Sequence, residues 1–350
     1  MKKNIIAVIV IMGVIAWSCS KVDSGNNGLK QSVEKGVADI NRAVTKISST
    51  AGYQLISMNE ATAKSDFNLS DTIDMNDVSG IWDFQPDTIY RSHEFCPYKL
   101  FLRTAESENM VINLPERMVF HPKHLHYYEP IDTVYPNNFT ITATDYHIYM
   151  NWFHNYEYKL TAGLSLNDEN AGNMDVSSTA RSEHSIANTS RFNFTDGYSI
   201  AAVWQYGDTA TSSFSLTKGN DTLFKESNTF IGHEYHHMEM EKQYDLTIGA
   251  VEIKKTTGID SIQVFVDGVL QQNAAEIITD DSDTTGSVCH KRDILLTFDD
   301  GTTEKLSDLI DPVREQLKTL RESLQNMYFA KHIVDYIAMS IYFDGHGYHD

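Results

Sequence analysis

Apolar and polar residues alternate along much of the chain after Trp82, and this period of two restricts the folds that the sequence can adopt. Ile148, Met150 and Trp152 are separated by single residues, and the same spacing recurs over residues 158–166. In an extended backbone, successive side chains point to opposite faces, so this pattern predicts strands with one buried and one solvated face.

Other segments have a strand-like composition, and turn-forming residues separate several of them. The further predicted strands are 99–103, 139–143, 199–205, 212–217, 245–254, 262–266 and 294–298. The turn signals are Asp196-Gly197, Gly207-Asp208, Gly219-Asn220-Asp221 and Asp267-Gly268. Since no helical pattern intervenes, we predict a mainly β fold, an antiparallel sandwich or barrel-like body over residues 51–304.

The composition supports this body, because 41% of the 350 residues are hydrophobic and 11% are aromatic, enough for a large β-rich core. The stretch 167–190 is different, since it is rich in Asn, Ser and Gly. We expect a long loop or a domain boundary there.

Two segments follow a helical period instead. In residues 29–50 apolar residues recur every three or four positions, which predicts an amphipathic helix. The region 305–350 carries a heptad stripe, and Asp311 before Pro312 predicts the start of a longer helix. Residues 333–343 fit a helix or a terminal strand. Each stripe fits a helix packed on its own domain; a homo-oligomer held through the two helices is the alternative.

The N-terminus has two lysines, an apolar run and the pair Ser18-Cys19. This arrangement resembles the signal peptide and lipobox of bacterial lipoproteins. The resemblance implies cleavage of residues 1–18, lipidation of Cys19 and a short polar tether over 19–28. We therefore expect a lipid-anchored protein of the cell envelope, at the outer membrane, on its periplasmic or its surface side.

The formal net charge of −20 disfavours nucleic acid and anionic membrane surfaces as partners, since both require clustered cations. Membrane association is therefore expected through the lipid alone. With Cys19 lipidated, Cys96 and Cys289 remain; they fit either one disulfide or two separate buried thiols.

His233, Glu234 and His237 match the HExxH motif of zinc metallopeptidases. On a helix the two histidines would bind one zinc ion while Glu234 activates water. On a strand they would lie about 13 Å apart, too far for one ion. The preceding Gly232 and the alternation downstream favour a strand, so we expect no metal or catalytic site here and keep a zinc-dependent hydrolase as the alternative.

Aromatic residues suited to stacking on a glycan or packing on a protein are Trp82, Trp152, Trp204, Tyr127 and Tyr128. Histidines also cluster at 121–126 and 346–349, where solvated side chains are the expected state. Together with Ser18-Cys19, the segments 244–255, 258–271 and 294–310 resemble uncharacterised envelope lipoproteins of anaerobic gut bacteria, a resemblance that implies no catalytic residue. The leading hypothesis is a non-enzymatic binding protein with a protein or glycan ligand.

Overall fold

The computed structural model describes residues 28–57, 72–85, 101–116, 136–151, 155–182, 185–232, 241–257, 262–271, 274–282, 288–298 and 300–345. Eighteen strands and five helices are assigned within these residues. The prediction of a mainly β body with an N-terminal helix and a C-terminal helical region is confirmed.

Fifteen strands form one large sheet. From β4 to β15 each strand pairs with the next one in the chain, and β2 joins the other side of β4, with β3 beyond it. Within the described residues the pairing of β2 with β4 is parallel and all others are antiparallel. The strands of this sheet are β1 (Thr72–Asp74), β2 (Gly80–Phe84), β3 (Phe101–Ala105), β4 (Met110–Leu114), β5 (Phe139–Met150), β6 (Tyr156–Leu166), β7 (Glu169–Ser182), β8 (Ser185–Asn193), β9 (Tyr198–Tyr206), β10 (Thr209–Lys218), β11 (Asp221–Ile231), β12 (Glu241–Ile248), β13 (Val251–Thr256), β14 (Gln263–Val266) and β15 (Val269–Gln271).

A second, three-stranded sheet contains β16 (Ala274–Ser282), β17 (Val288–Thr297) and β18 (Thr303–Lys305). It contacts the large body through the first helix, because Lys30 Nζ lies 3.1 Å from Asp300 Oδ2 at the turn before β18. The pKa of the Asp300 carboxyl is lowered to about 2, chiefly because the Thr302 hydroxyl donates a hydrogen bond to it.

The helices are α1 (Leu29–Ser48), α2 (Ala51–Ser57), α3 (Met75–Val78), α4 (Leu306–Asn326) and α5 (Tyr328–Gly345). The apolar stripe of α1 is buried, with Val33, Ile40 and Ile47 fully inaccessible to solvent. The stripe of α4 is buried as well, through Val313 and Leu320 among others. Both helices therefore use their apolar faces to pack within this chain, as expected for helices that pack on their own domain.

The core lies between these helices and one face of the large sheet, which we call the inner face. In β6 the inner face carries Tyr158, Leu160, Ala162 and Leu164, none of them more than 1% exposed. The helices approach this face closely. A Cβ atom on Gly52 of α2 would lie 2.1 Å from a backbone oxygen of β7, so only glycine fits at this contact.

The turn signals in the sequence coincide with real turns. All four separate consecutive strands, namely β8 from β9, β9 from β10, β10 from β11 and β14 from β15. The predicted strand 245–254, however, is a hairpin of β12 and β13. Gly249 forms its turn with a φ of 56°, a conformation that favours glycine.

The prediction of a long loop over residues 167–190 is wrong. Residues Glu169–Ser182 form β7 and Ser185–Asn193 form β8, both in the middle of the large sheet. The sequence did not predict these strands because their composition is polar. Their inner-face positions include Ser178, Asn188 and Ser190 in place of apolar residues. These two strands are therefore paired elements whose inner face is partly polar.

The expected helix start at Asp311 is also wrong, since α4 begins at Leu306 and contains Pro312. Asp293 of β17 accepts hydrogen bonds from the Ser307 backbone N–H and hydroxyl. It thereby satisfies the first turn in the way that an N-cap side chain would. The residues 333–343, for which a helix and a strand were both open, lie in α5.

Among the described helices, we find none with the length and the apolar character needed to cross a membrane.

Candidate ligand-binding site

A cavity of about 610 Å³ lies between the inner face of β8–β10 and the helices α4 and α5. Small-molecule sites commonly have volumes of about 300–1,000 Å³, so the cavity has the size of such a site. Its lining residues are Asn188, Ser190, Ala202, Val203, Trp204, Ser212, Ser213, Arg321, Leu324, Gln325, Tyr328, Lys331, His332 and Asp335.

Trp204 of β9 is the main aromatic group that the sheet contributes. Its side chain is 44% exposed although it lies on the inner face, where apolar residues of neighbouring strands are buried. The ring stacks on Tyr206, with 6.4 Å between centroids and 11° between planes. Tyr206 does not line the cavity, whereas Ala202 on the other side does. The indole face turned away from Tyr206 is therefore the one open to the cavity.

Polar side chains flank this tryptophan across the sheet. Trp204 pairs with Asn188 of β8 on one side and with Ser212 of β10 on the other. Because paired residues of neighbouring strands point to the same face, an amide, an indole and a hydroxyl stand in one row about 4.8 Å apart. The row provides one stacking surface between two hydrogen-bonding groups.

The helices supply the opposite wall of the cavity. Arg321, Leu324, Gln325 and Tyr328 recur three or four positions apart, which places them on one side of the α4–α5 segment. At one end the Tyr328 hydroxyl lies 2.6 Å from the Ser190 hydroxyl and joins α5 to β8. Within the described part of the chain, the Arg321 guanidinium makes no ion pair or hydrogen bond. Arg321 is exposed and lines the cavity, so its charge is available there without a partner among the described residues.

Asp335 of α5 also lines the cavity and is 4% exposed. Its Oδ1 accepts hydrogen bonds from Tyr146 at 3.3 Å and from Tyr158 at 3.0 Å. Its Oδ2 lies 2.5 Å from Lys331 Nζ, which also sits 4.0 Å from the Tyr158 ring centre. Three partners thus satisfy this buried carboxylate, and the group fastens α5 to β5 and β6.

The tyrosines of this network stay protonated at neutral pH. Burial raises the pKa of Tyr146 and of Tyr158 well above the ordinary value, and the negative charge of Asp335 raises both further. Burial also raises the pKa of the neighbouring Tyr156, with a further contribution from Asp335. The hydroxyls of Tyr146 and Tyr158 therefore act as neutral hydrogen-bond donors to Asp335.

The arrangement is suited to binding. The described lining residues offer a stacking surface, several hydrogen-bonding groups and, in Arg321, a cation that makes no ion pair within the described part of the chain. Among the described residues, no set of three His, Cys, Asp or Glu side chains is placed to hold a metal ion. Three lining residues have side chains with the chemistry for proton transfer, and two of them, Asp335 and Lys331, are paired with each other while His332 is the third.

Most residues that the sequence predicted for a site lie outside the described residues. These are Cys19, Cys96, His233, Glu234, His237, Trp152, Tyr127, Tyr128 and the histidines of 121–126 and 346–349. The HExxH residues lie in the undescribed segment between β11 and β12. The strand prediction and the zinc alternative therefore both stay predictions.

The structure describes three other predicted positions. Cys289 lies in β17 with its backbone opposite Asp281, but its predicted disulfide partner Cys96 is outside the described residues. Trp82 is half-buried and donates its indole N–H to the Val78 carbonyl, so it has a structural role. Trp204 lines the cavity.

Sequence reasoning missed the helical half of the site. Arg321, Gln325 and Tyr328 were part of a helix recognised only by its apolar stripe, and nothing in their spacing differs from an ordinary solvated face. A weak signal was present in the sheet, since Asn188 and Ser190, two of the polar residues that interrupt the apolar alternation, line the cavity.

The chain was also compared with known proteins. No family model, no curated protein and no solved structure matches it.

Proposed function

We propose that this chain is a lipid-anchored cell-envelope protein that binds a small ligand, without covalent chemistry, in the cavity between β8–β10 and the helices. The observation that carries the proposal is the cavity of about 610 Å³ with Trp204 and Arg321 on opposite walls. Concave pockets with an aromatic surface and a few polar groups are the usual form of ligand sites.

The exposure of Trp204 supports this function. Burying a large aromatic side chain stabilises a fold by about 2 kcal/mol or more, and Phe192 of β8 and Phe214 of β10 on the same inner face obtain that stabilisation. Trp204 keeps 44% of its surface exposed inside a concavity. A ligand that covers the indole would supply the missing burial.

The concave shape favours a small ligand or a glycan over a folded protein partner, since protein interfaces are larger and flatter. The oligomer alternative finds no support in the two helices that suggested it. Their apolar stripes are already buried within the chain at Val33, Ile40, Val313 and Leu320.

The anchor is a separate part of the proposal. Helix α1 begins ten residues after Cys19, so the polar segment 19–28 would link the lipid to the folded body. In a bacterial host that processes lipoproteins, the wild-type protein should fractionate with membranes and Cys19→Ala should not. Equal membrane association of the two proteins would contradict the anchor and leave the binding site unaffected.

Binding is tested by thermal unfolding of the protein with a panel of neutral sugars, sugar acids, amino acids and aromatic acids. A ligand at about 100 times its Kd stabilises the folded state by about 2.7 kcal/mol, which raises Tm measurably. We expect at least one compound to raise the Tm of the wild type and not that of Trp204→Ala. A panel with no such compound, or one whose hits are equally effective on Trp204→Ala, would contradict the proposed function.

A further inference from the structure

The lining of the cavity also specifies the charge of its ligand. Four lining residues carry or can carry charge: Arg321, Lys331, His332 and Asp335. Lys331 and Asp335 neutralise each other at 2.5 Å. Arg321 is left as a full positive charge without a counter-ion among the described residues, in a protein whose net charge is −20. An anionic group on the ligand would complete this wall.

The chemistry opposite Arg321 specifies the rest of the ligand. The row Asn188–Trp204–Ser212 places hydrogen-bonding groups on both sides of one indole face. Gln325 adds a further polar group. A flat aromatic acid would cover the indole but leave these groups desolvated and unpaired, which is unfavourable. A sugar ring stacks on the indole through its C–H groups while its hydroxyls pair with the amides and serines.

We propose that the cavity binds a sugar acid, with the ring stacked on Trp204 and the carboxylate paired with Arg321. This inference rests on the proposed binding function and names its ligand class. Guanidinium and carboxylate form paired, charge-assisted hydrogen bonds with defined geometry, so Arg321 discriminates a sugar acid from the corresponding neutral sugar.

Matched pairs of sugars test the inference by isothermal titration of the full folded protein. D-glucuronate and D-galacturonate differ from D-glucose and D-galactose at C6 only, and N-acetylneuraminate serves as a larger acid. We expect at least one acid to bind at least about tenfold more tightly than the neutral sugars, the range of one charge-assisted hydrogen bond. Arg321→Gln should remove this preference, and raised salt should weaken it.

Two variants serve as controls. Arg191→Gln removes the same charge from the exposed outer face of β8, next to Ser190 in sequence, and should bind the acid as the wild type does. Trp204→Phe keeps a stacking ring and should retain more affinity than Trp204→Ala. Circular dichroism of each variant checks that it is folded before titration.

The contradicting results are distinguishable. If neutral sugars bind as tightly as the acids, or if Arg321→Gln leaves the preference unchanged, the sugar-acid inference is wrong while the binding function holds. Failure of all three acids, alongside a Trp204-dependent hit of another class in the thermal panel, leads to the same conclusion. If no compound of the thermal panel or the titrations binds in a way that depends on Trp204, both proposals are wrong.

Discussion

The inner face of the large sheet differs between β6 and β9, although both strands present every second residue to it. In β6 the inner-face side chains of Tyr158, Leu160, Ala162 and Leu164 are at most 1% exposed, because the helices cover them. In β9 Trp204 remains 44% exposed on the wall of a cavity. The alternation of the sequence therefore determines which face of the sheet a side chain points to. Whether helices α1, α2, α4 and α5 pack on that part of the face determines whether it becomes core or binding surface.

The largest loss of stability should come from the hydrogen-bonded network of Asp335, which holds α5 against β5 and β6. Asp335→Ala leaves Lys331 and two tyrosine hydroxyls without their shared acceptor, and breaking a buried ion pair costs about 3–5 kcal/mol. Urea denaturation with a two-state fit measures the free energy of unfolding. Asp335→Asn, which keeps one acceptor oxygen, should cost less. A loss below about 1 kcal/mol for the alanine variant would show that the network does not hold α5.

Truncation of one residue in each region compares them directly. Leu160→Ala removes a fully buried side chain of β6 and should cost about 2–5 kcal/mol. Trp204→Ala removes more atoms but should cost clearly less, because nearly half of that side chain already faces solvent. The same urea titration applies to both. An equal or larger loss for Trp204→Ala would mean that Trp204 belongs to the core.

The close approach of α2 to the sheet predicts a smaller loss. Gly52→Ala would place a Cβ atom 2.1 Å from the Ala171 carbonyl oxygen, and overpacking of this kind costs about 1–3 kcal/mol. Ser57→Ala, at the exposed end of the same helix, is the matched control and should change stability little. Wild-type stability in Gly52→Ala would show that α2 can move away from β7 freely.

The free energy of unfolding should decrease gradually at alkaline pH because of the buried tyrosines of β5 and β6. Tyr146 and Tyr158 have raised pKa values in the folded protein, while the unfolded chain ionises near the ordinary value of 10.0. Above that pH the unfolded state loses protons that the folded state keeps, so the free energy of unfolding falls as pH rises. It is unaffected by these groups at lower pH.

The variants Tyr146→Phe and Tyr158→Phe test the source of that slope. Each should be less stable than the wild type at neutral pH, since Asp335 loses a donor, but each should lose less stability between about pH 10 and pH 11. Chemical denaturation at a series of pH values measures this. A slope identical to that of the wild type would assign the alkaline effect to other groups.

The sequence predicted the covered region better than the open one. Strict alternation marked β5 and β6, because helices bury one face of these strands and select apolar residues there. In β7 and β8, Ser178, Asn188 and Ser190 occupy inner-face positions in place of apolar residues, and the alternation that identifies a strand disappears. The loop wrongly expected at 167–190 and the missed cavity therefore have the same physical cause.

The helical side of the site was beyond prediction for another reason. Arg321 and Gln325 resemble the polar residues of any solvated helix face, and only the fold places them opposite Trp204. Asp335 is a single charged residue within the apolar stretch 333–343, and its position alone gives no sign of a role. Its partners Tyr146 and Tyr158 lie more than 170 residues away in the chain, a pairing that no local pattern shows.

A crystal structure of the protein with the tightest-binding compound of the thermal panel would show where on the inner face a ligand lies. We predict electron density for the ligand between Trp204 and Arg321, on the indole face turned away from Tyr206. An empty cavity with the ligand bound elsewhere on the protein would contradict the assignment of the uncovered part of the inner face as the binding site.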